Sequence, residues 1–416
     1  MTAPKPPAPP SAHSTDPEPA EAASGGVWKA LSGVEAGIDA VRERFFGTRD
    51  VTKAVLRPYF SFGTKAGAVL RARVVRGPLL EVPHPVEAGP AGDAALAGQD
   101  EELDEIVKSR WETLRAMWDR FETDEVAGAE AVVPGSDHAA RSDGEGYLSL
   151  RVSPAELTPR AEDPRWHDVP MRLTGSEVEG AETTVPVLVP GPDTRFAVVS
   201  DIDDTIVETH ATSKLKMIPL VLTRSASQRT VLPGVAAFYK ALERGGQTEA
   251  APSLNPVFYV SSSPWNLYDV LVELMALRSI PLGPIFLRDY GLSEHGPIGE
   301  HHEAHKGRAI AALMETYPDL GFVLIGDSGQ RDPQIYAQAA KDFPGRVRAV
   351  YLRDVSPSQG EAFGEAAAPY VAELEALGVP TLLSDDTAAM ARHAAAHGLL
   401  SDDAARRIAD GLAAQT

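Results

Sequence analysis

The chain has 416 residues, and its 39 Lys and Arg against 59 Asp and Glu give a formal net charge of −20. So acidic a molecule is not drawn as a whole to nucleic acid or to anionic membranes, and no nucleic-acid partner is expected. The complete lack of cysteine excludes disulfides, thiolate zinc sites and cysteine nucleophiles, and it fits a reducing cytoplasm. No apolar stretch is long enough to span a bilayer, so no transmembrane helix is expected.

The first part of the chain predicts a tail, helices and a small β-rich domain. Residues 1–26 are rich in Pro, Ala, Ser and Glu without the apolar core of a signal peptide, which predicts a disordered tail. Residues 27–46 and 103–121 carry apolar side chains at helical spacing. Alternating segments such as 70–74 predict strands, so residues 27–192 are expected to form an N-terminal helix plus a mostly β domain.

Further short strands in this region are predicted at 131–133, 147–152, 169–173 and 184–189. A β-sandwich is one architecture that fits strands of this length and spacing. The region contains no constellation of residues typical of catalysis.

From residue 196 onward strands alternate with helices, which predicts an α/β domain with a Rossmann-like parallel sheet. We expect this domain to span residues 193–384, followed by a helical C-terminal tail at 385–416. Strands are predicted at 196–200, 255–260, 283–287, 321–325, 346–352 and 379–383. Helices are predicted at 264–277, 306–317, 333–341, 361–377, 387–397 and 404–413.

An acidic cluster follows the first strand of this domain. The apolar run 196–200 is followed directly by Asp201, Asp203, Asp204 and Thr205. Carboxylates at the carboxyl end of such a strand lie where open α/β sheets bind ligands. Asp201 and Asp203 face one side of an extended chain, and two such charges repel unless a cation or a shared proton lies between them. Oxygen ligands favour a hard cation such as Mg²⁺, although an ordinary acidic turn is the alternative.

Three later segments complete the pattern. Three serines at 261–263 follow the second predicted strand, where a hydroxyl can donate to a phosphoryl oxygen. Lys306 is predicted to open a helix and offers a mobile positive charge. Residues 326–332 follow the fourth predicted strand and add the carboxylates of Asp327 and Asp332. Each segment alone is explained by a helix cap, a solvated lysine or a loop, but the ordered set favours one shared phosphate site.

In this order, Asp-x-Asp-x-Thr, Ser, Lys and Gly-Asp-x₄-Asp resemble the four motifs of the haloacid dehalogenase superfamily, over about residues 196–354. The motif sequences are most similar to those of the actin-patch-protein type of phosphatidate phosphatase. The β-rich region before the motifs also fits such proteins. Lipin-type phosphatidate phosphatases usually carry Gly where Asp204 stands and are the poorer match. The matching segments are Asp-Ile-Asp-Asp-Thr-Ile at 201–206, Tyr-Val-Ser-Ser-Ser-Pro-Trp at 259–265, Leu-Arg-Asp at 287–289, His-Lys at 305–306 and Gly-Asp-Ser-Gly-Gln at 326–330.

The resemblance implies a Mg²⁺-dependent phosphatase that works through an aspartyl-phosphate intermediate. Asp201 would be the nucleophile, and Asp203 would protonate the leaving alkoxide and then activate water. The ion would be held by Asp201, the backbone carbonyl of Asp203, and Asp327. Asp332 would either bind the ion through water or orient Lys306.

The remaining roles concern substrate binding. The resemblance places Ser261 and Lys306 on the phosphate oxygens, as phosphoryl transfer requires. Ser262 takes the place of Ser261 if the strand ends one residue later. Thr205 would bind substrate or order the loop, and Asp204 would be a further metal contact or a turn residue.

The run His-His-Glu-Ala-His at 301–305 raises a zinc alternative, because its first and last histidines are four residues apart. It is not the His-Glu-x-x-His motif, and it directly precedes Lys306, where the resembling family has a loop. We therefore expect a loop near the phosphate site in preference to a zinc site.

The gaps after the first strands bear on substrate choice. Residues 206–231 and 282–305 are too short for a large cap domain, so the expected haloacid dehalogenase fold is essentially uncapped and open to bulky substrates. Residues 213–224 combine cations with an apolar run, as an interfacial segment does, although a flap helix buried on the core fits equally.

We expect hydrolysis of phosphatidate, or a related lipid phosphate, by a cytoplasmic protein with peripheral membrane contact. The alternatives are a phosphatase of a soluble phosphomonoester or phosphoprotein, and a non-catalytic membrane or adaptor protein.

Overall fold

The computed structural model describes residues 54–76, 124–174, 182–206, 232–245, 254–288, 301–355 and 362–414. All of them belong to one compact unit. The predicted tail, the helices at 27–46 and 103–121, and the segment 213–224 lie outside the described residues. The proposed domain boundaries stay a prediction.

Nine strands between residues 54 and 188 form the first sheet. They are β1 (Ala54–Thr64), β2 (Gly67–Arg76), β3 (Asp124–Glu125), β4 (Glu130–Val132), β5 (Ala139–Arg141), β6 (Tyr147–Val152), β7 (Thr158–Pro159), β8 (Trp166–Thr174) and β9 (Glu182–Leu188). Their order is β3-β2-β1-β9-β8-β4-β5, with β6 paired to β2 and β7 paired to β8. The β1–β9 pair is parallel.

These strands form one nearly barrel-like sheet instead of the two packed sheets of a sandwich. Strand β2 pairs with β1 on one edge and with both β3 and β6 on the other, so the sheet continues around it. The backbone N–H of Asp143 donates to the Tyr147 carbonyl at 2.8 Å, which joins the end of β5 to the start of β6. The predicted longer strands are confirmed, whereas β3, β5 and β7 are too short to show alternation.

The second sheet has six strands, all parallel, as predicted. They are β10 (Phe196–Ser200), β11 (Val257–Pro264), β12 (Ile285–Arg288), β13 (Gly321–Asp327), β14 (Val347–Arg353) and β15 (Thr381–Ser384). Their order, β12-β11-β10-β13-β14-β15, is the doubly wound order with a switch point between β10 and β13. The continuous apolar run of β10 is buried throughout, as expected of a strand covered on both faces.

Among the described residues, seven helices pack on this sheet. They are α1 (Val235–Arg244), α2 (Tyr268–Leu277), α3 (His301–Thr316), α4 (Asp332–Asp342), α5 (Ala362–Ala376), α6 (Thr387–Ala396) and α7 (Asp402–Ala413). Helices α1, α6 and α7 contact one another, while α4 contacts both α3 and α5. Since crossovers between parallel strands are almost always right-handed, these two groups are expected on opposite faces of the sheet. Within the described ranges, no helix is long and apolar enough to cross a membrane.

Two predicted helix starts are wrong. Helix α2 begins at Tyr268 and not at Pro264, because Pro264 ends β11 and a 3₁₀ turn at Trp265–Leu267 follows it. Helix α3 begins at His301, so residues 301–305 are helical and not a loop, and Lys306 lies in the second turn. That run contains neither Gly nor Pro, so its sequence does not stop the helix from extending towards its amino end.

Helix α1 was not predicted. Its buried side chains, Val235, Phe238, Tyr239 and Leu242, recur at helical spacing, so the signal is present in the sequence.

The two sheets share a hydrophobic core. Tyr59, Phe60, Trp166 and Leu188 of the first sheet are buried in the same cluster as the apolar strands of the second. The interior of the first sheet forms a separate cluster. The first sheet is therefore packed against the second through side chains that both need to exclude water.

Candidate active site

The predicted site residues come together at the switch point of the second sheet. Strands β10 and β13 are neighbours, with Ser200 paired to Ile325, and both end at the same edge. The N–H of Asp201 donates to the Ile325 carbonyl at 2.8 Å. Asp201 and Asp327 therefore lie side by side, where ligands bind in doubly wound sheets.

A lysine lies among buried carboxylates at this edge. Asp201, Asp327 and Asp332 each present an oxygen within 4.8 Å of the others, and all three are buried. Lys306 Nζ lies 2.9 Å from Asp201 Oδ1 and 2.6 Å from Asp332 Oδ1. Its side chain comes from the second turn of α3 and is also buried. These residues, predicted from separate segments, form one ionic cluster.

Gly326 allows helix α4 to approach the end of β13 so closely. A Cβ at this position would lie 2.4 Å from Asp332 Oδ2 and 2.7 Å from the Tyr336 hydroxyl. That hydroxyl donates to the Ile325 carbonyl at 2.7 Å, which ties α4 to the strand. The glycine is required so that Asp332 can reach Lys306.

Asp327 uses only one of its two oxygens. Its Oδ1 accepts hydrogen bonds from the N–H groups of Gly329 and Gln330, at 2.7 and 2.8 Å. Its Oδ2 is buried and has no hydrogen-bond partner among the described residues. A buried carboxylate oxygen without a donor is costly, and a bound cation would remove that cost.

Burial and like charge dominate the electrostatics of the cluster. Burial raises the pKa of Asp201 well above its usual range, against the opposing effect of Lys306. Burial, reinforced by Asp332, raises the pKa of Asp327 to about 7. Burial lowers the pKa of Lys306, but the surrounding carboxylates outweigh it and raise the pKa overall. One lysine does not offset these carboxylates, so the site favours a further positive charge.

The donor set fits a hard divalent cation. The available ligands are carboxylate oxygens, the class that Mg²⁺ prefers, and two of them, Asp201 Oδ1 and Asp327 Oδ2, accept no hydrogen bond from the described residues. Asp201 and Asp327 are the residues best placed to hold an ion. Asp332 is engaged elsewhere, since its Oδ1 accepts from Lys306 and its Oδ2 accepts from the Asp327 N–H at 3.3 Å.

Asp203 lies beside the serines that end β11. Ser261 Oγ donates to Asp203 Oδ2 at 2.8 Å, and Ser263 Oγ lies 3.3 Å from the same oxygen. The Ser263 N–H donates to Ser261 Oγ at 2.9 Å, so the two serines support each other. Ser262 lies between them, on the other side of the extended chain. Its role in phosphate binding stays a prediction.

Ser263 and Gln330 were not predicted as site residues. The period of two along a strand puts Ser261 and Ser263 on one side, so the signal for Ser263 was present in the sequence. Gln330 Nε2 lies 3.4 Å from Asp201 Oδ2, a contact that depends on how the loop after β13 folds back.

The turn after Asp203 is tight. Asp204 has φ of 54°, in the left-handed region that Asp, Asn and Gly tolerate best. The Ile206 N–H donates to the Ile202 carbonyl at 3.0 Å, which closes the turn. Asp204 is thus a turn residue, and its charge also contributes to the raised pKa of Asp327. Thr205 is buried within the turn.

The class defined by this fold and site is a doubly wound α/β domain with a buried cluster of carboxylates, a lysine and serine hydroxyls at its switch point. The comparisons with known proteins agree with that class. Residues 196–354 match the family described as the catalytic domain of phosphatidate phosphatase APP1. The matched range is the one over which the motif resemblance was noted.

Two curated proteins are similar to this part of the chain. Phosphatidate phosphatase APP1 of Saccharomyces cerevisiae is 31% identical over 166 residues, which is 40% of this chain and 27% of that protein. An uncharacterized protein of Schizosaccharomyces pombe is 29% identical over 162 residues, which is 38% of this chain and 25% of that protein. The chain thus spans about a quarter of the length of the curated relatives it matches.

These matches show that residues 196–354 are similar to an APP1-type phosphatidate phosphatase catalytic domain. The resemblance inferred from the motifs is confirmed for that segment. A solved structure, FMN-binding beta-glucuronidase from Facaelibacterium prausnitzii L2-6, aligns at 11% identity over 82% of this chain and 55% of that chain. Its TM-score of 0.22 is too low to inform the fold.

Proposed function

We propose that this protein is a Mg²⁺-dependent phosphatase that hydrolyses phosphatidate, or a related lipid phosphate, to diacylglycerol and phosphate. The observation that carries the proposal is the meeting of Asp201, Lys306, Asp327 and the Asp203–Ser261 pair at one sheet edge. Phosphoryl transfer needs a nucleophile, a proton donor and positive charge on the phosphoryl oxygens, and these groups supply all three.

In the first step a carboxylate oxygen of Asp201 attacks phosphorus, and the bond between phosphorus and the ester oxygen breaks. Lys306 Nζ, which lies 2.9 Å from Asp201 Oδ1, would move onto a phosphoryl oxygen as the nucleophile forms its new bond. Asp332 keeps this ammonium group in place through its own 2.6 Å contact. This supports a positioning role for Asp332 in preference to direct metal binding.

Asp203 would carry the proton. In the first step its protonated form gives that proton to the leaving alkoxide, which departs as diacylglycerol. In the second step the resulting carboxylate takes a proton from water, whose oxygen attacks the aspartyl-phosphate, releases phosphate and restores Asp201. Ser261 Oγ, 2.8 Å from Asp203 Oδ2, holds the side chain in one orientation for both steps.

Asp201 and Asp327 would hold Mg²⁺, and the unpartnered Oδ2 of Asp327 supports that assignment. When bound, the ion neutralises charge on the transferred phosphoryl group. The order of strands and motifs also supports the haloacid dehalogenase fold with no large cap. An open site of that kind suits a phosphate head group presented at a membrane surface, and peripheral contact from the cytoplasmic side is part of the proposal.

The test is phosphate release from phosphatidate vesicles by the purified full chain, with Mg²⁺ and with a chelator. We expect turnover that needs Mg²⁺ and that Asp201→Asn abolishes. Turnover of soluble phosphomonoesters alone would exclude the lipid substrate but keep the chemistry. No turnover of any ester would favour the non-catalytic membrane or adaptor role.

A further inference from the structure

The hairpin β1–β2 of the first sheet contacts the segment that directly follows the site serines. The Tyr59 ring stacks on Trp265 at 4.7 Å between centroids, with an interplanar angle of 23°. The Arg71 guanidinium lies 5.5 Å from the centroid of the same indole. Tyr147 of β6 approaches that indole at 5.9 Å. Trp265 therefore sits among side chains of the first sheet.

The hairpin also contacts the start of α2. The Phe60 N–H donates to the Tyr268 hydroxyl oxygen at 2.6 Å, and Arg57 Nη1 donates to Asp269 Oδ2 at 3.0 Å. Arg71 Nη2 donates to the Phe60 carbonyl at 2.8 Å and contacts the Ile285 carbonyl of β12 at 3.3 Å. Rings, hydrogen bonds and an ion pair thus hold one short segment, 265–269.

The site serines need such an anchor, because the sheet itself holds them loosely. The ladder between β10 and β11 ends at Tyr259. The ladder between β11 and β12 is irregular between Val260 and Pro264. Residues 261–263 therefore lie past the last pair with β10 and in a gap between the β12 pairs at Val260 and Pro264, and their position depends on what fixes the chain on either side of them.

We propose that the hairpin β1–β2 positions the proton donor of the reaction. Tyr59 and Arg71 fix Trp265, and Trp265 follows β11 directly, so it fixes the end of that strand. The fixed strand end then holds Ser263, the site serine nearest to Trp265, against Asp203. The first sheet is thus part of the catalytic unit, with Tyr59, Arg71 and Trp265 as positioning residues.

This inference rests on the proposed function, in which Asp203 protonates the leaving group. It predicts that loss of the contacts between the hairpin and Trp265 lowers the reaction rate through Ser263 and Asp203. A residue that only stabilises the fold would lower the amount of active protein, and its effect would add to that of a serine variant. A positioning residue loses its effect once the serine it positions is gone.

The experiment is a double-mutant cycle between Arg71→Lys and Ser263→Ala in the full chain, with phosphatidate in mixed micelles and Mg²⁺. Lysine keeps the charge of Arg71 but lacks the planar group that spans the indole and two carbonyls. We expect each single variant to lower kcat by about tenfold, part of what general acid catalysis contributes. The double variant should be no slower than Ser263→Ala alone.

Arg346→Lys is the matched control. Arg346 also donates to backbone carbonyls, those of Leu320 and Tyr317, and lies over the Phe322 ring, but at the opposite end of the sheet. It should lower stability as much as Arg71→Lys does and leave kcat unchanged. Trp265→Phe, which keeps a ring for Tyr59 to stack on, should retain most of the kcat that Trp265→Leu loses.

A second substrate tests whether the loss of rate comes from impaired proton donation to the leaving group. 4-Nitrophenyl phosphate releases a stable phenolate, so its hydrolysis needs less help from an acid, and Arg71→Lys should lower its turnover by less than about threefold. Additive losses in the cycle, equal losses on both esters, or an unchanged kcat in Arg71→Lys would each overturn the inference. If the unmodified protein hydrolyses phosphatidate but not 4-nitrophenyl phosphate, the double-mutant cycle alone tests the inference. An inactive parent would overturn the proposed function, and this inference with it.

Discussion

Two buried ionic clusters show how differently this protein treats charge. In the balanced cluster, Arg165 Nη2 lies 2.6 Å from Asp163 and 3.0 Å from Glu243, and Nη1 donates to the Asn255 carbonyl. In the acidic cluster, defined by Asp201, Asp327, Asp332 and Lys306, three buried carboxylates share one cation, and the buried Asp201 Oδ1 and Asp327 Oδ2 accept no hydrogen bond from the described residues.

The difference separates structure from function. Arg165 links the first sheet to α1 with its buried donors and acceptors paired, which is what a structural ion pair needs. The acidic cluster instead keeps like charges together away from water, at a cost in stability that a fold tolerates where it binds or reacts. Neutralising a residue should therefore have opposite consequences in the two clusters.

The largest effect is expected from Asp201→Asn. The proposed nucleophile is lost, so phosphate release should fall on the order of 10³-fold or more. Because the folded-state pKa of Asp201 is raised, its ionised form costs stability at neutral pH, and the neutral side chain should leave urea unfolding unchanged or shift it to higher urea. Asp163→Asn makes the same substitution in the balanced cluster and should lower stability while activity persists. A destabilised Asp201→Asn would remove the contrast.

Arg165→Ala should be the most destabilising of these changes. It removes a buried guanidinium from two partly exposed carboxylates, which costs about 3 kcal/mol. The free energy of unfolding from urea titration measures this loss. Arg407→Ala breaks only an exposed pair with Asp403 on α7, and a loss within about 1 kcal/mol is expected. Equal losses for the two variants would show that the balanced cluster is not structural.

Mg²⁺ should stabilise the protein by binding at the acidic cluster and not at the balanced cluster. At an ion concentration about 100 times Kd, linkage adds about 2.7 kcal/mol to the free energy of unfolding. Thermal unfolding with Mg²⁺ and with a chelator measures the shift, and it needs no substrate. Asp327→Asn should remove most of it, whereas Arg165→Ala should retain it in full. A shift that survives in Asp327→Asn would place the ion elsewhere.

Gly326→Ala should have a moderate effect on stability and a visible one on activity. The added Cβ would displace Asp332 and Tyr336, at a cost of about 1–3 kcal/mol, and Lys306 would lose its support. Gly307→Ala is the control, because a Cβ there meets no described atom within 4 Å and alanine favours a helix by up to about 1 kcal/mol. Unfolding and phosphate release are measured together. Full activity in Gly326→Ala would separate Asp332 from catalysis.

The sequence predicted the acidic cluster because its parts obey local rules. An apolar strand followed by a carboxylate occurs at Asp201 and again at Asp327, and parallel strands that end together bring both to one edge. The first sheet was harder to predict. Its nearly barrel-like course depends on which strands pair with β2, and the balanced cluster joins residues far apart in the chain. Pairing over such distances leaves no local signal.

Within the site, the errors have local causes. Ser263 was missed because the period of two was applied to Asp201 and Asp203 but not to the serines. Lys306 was expected at a helix start, because the resembling family has a loop where residues 301–305 stand. The composition of these residues does not itself break a helix. Its correct place, in the second turn of α3, still brings it to Asp201.

Arg71 has one more consequence, for association between molecules. Strand β12 is the margin of the second sheet, and a margin strand offers unpaired carbonyls to any extended peptide that approaches. The Arg71 guanidinium contacts the Ile285 carbonyl there and covers the adjacent Phe286 ring, at 4.8 Å from its centroid. Among the described strands, this margin is thereby covered by a charged side chain, which opposes edge-to-edge aggregation.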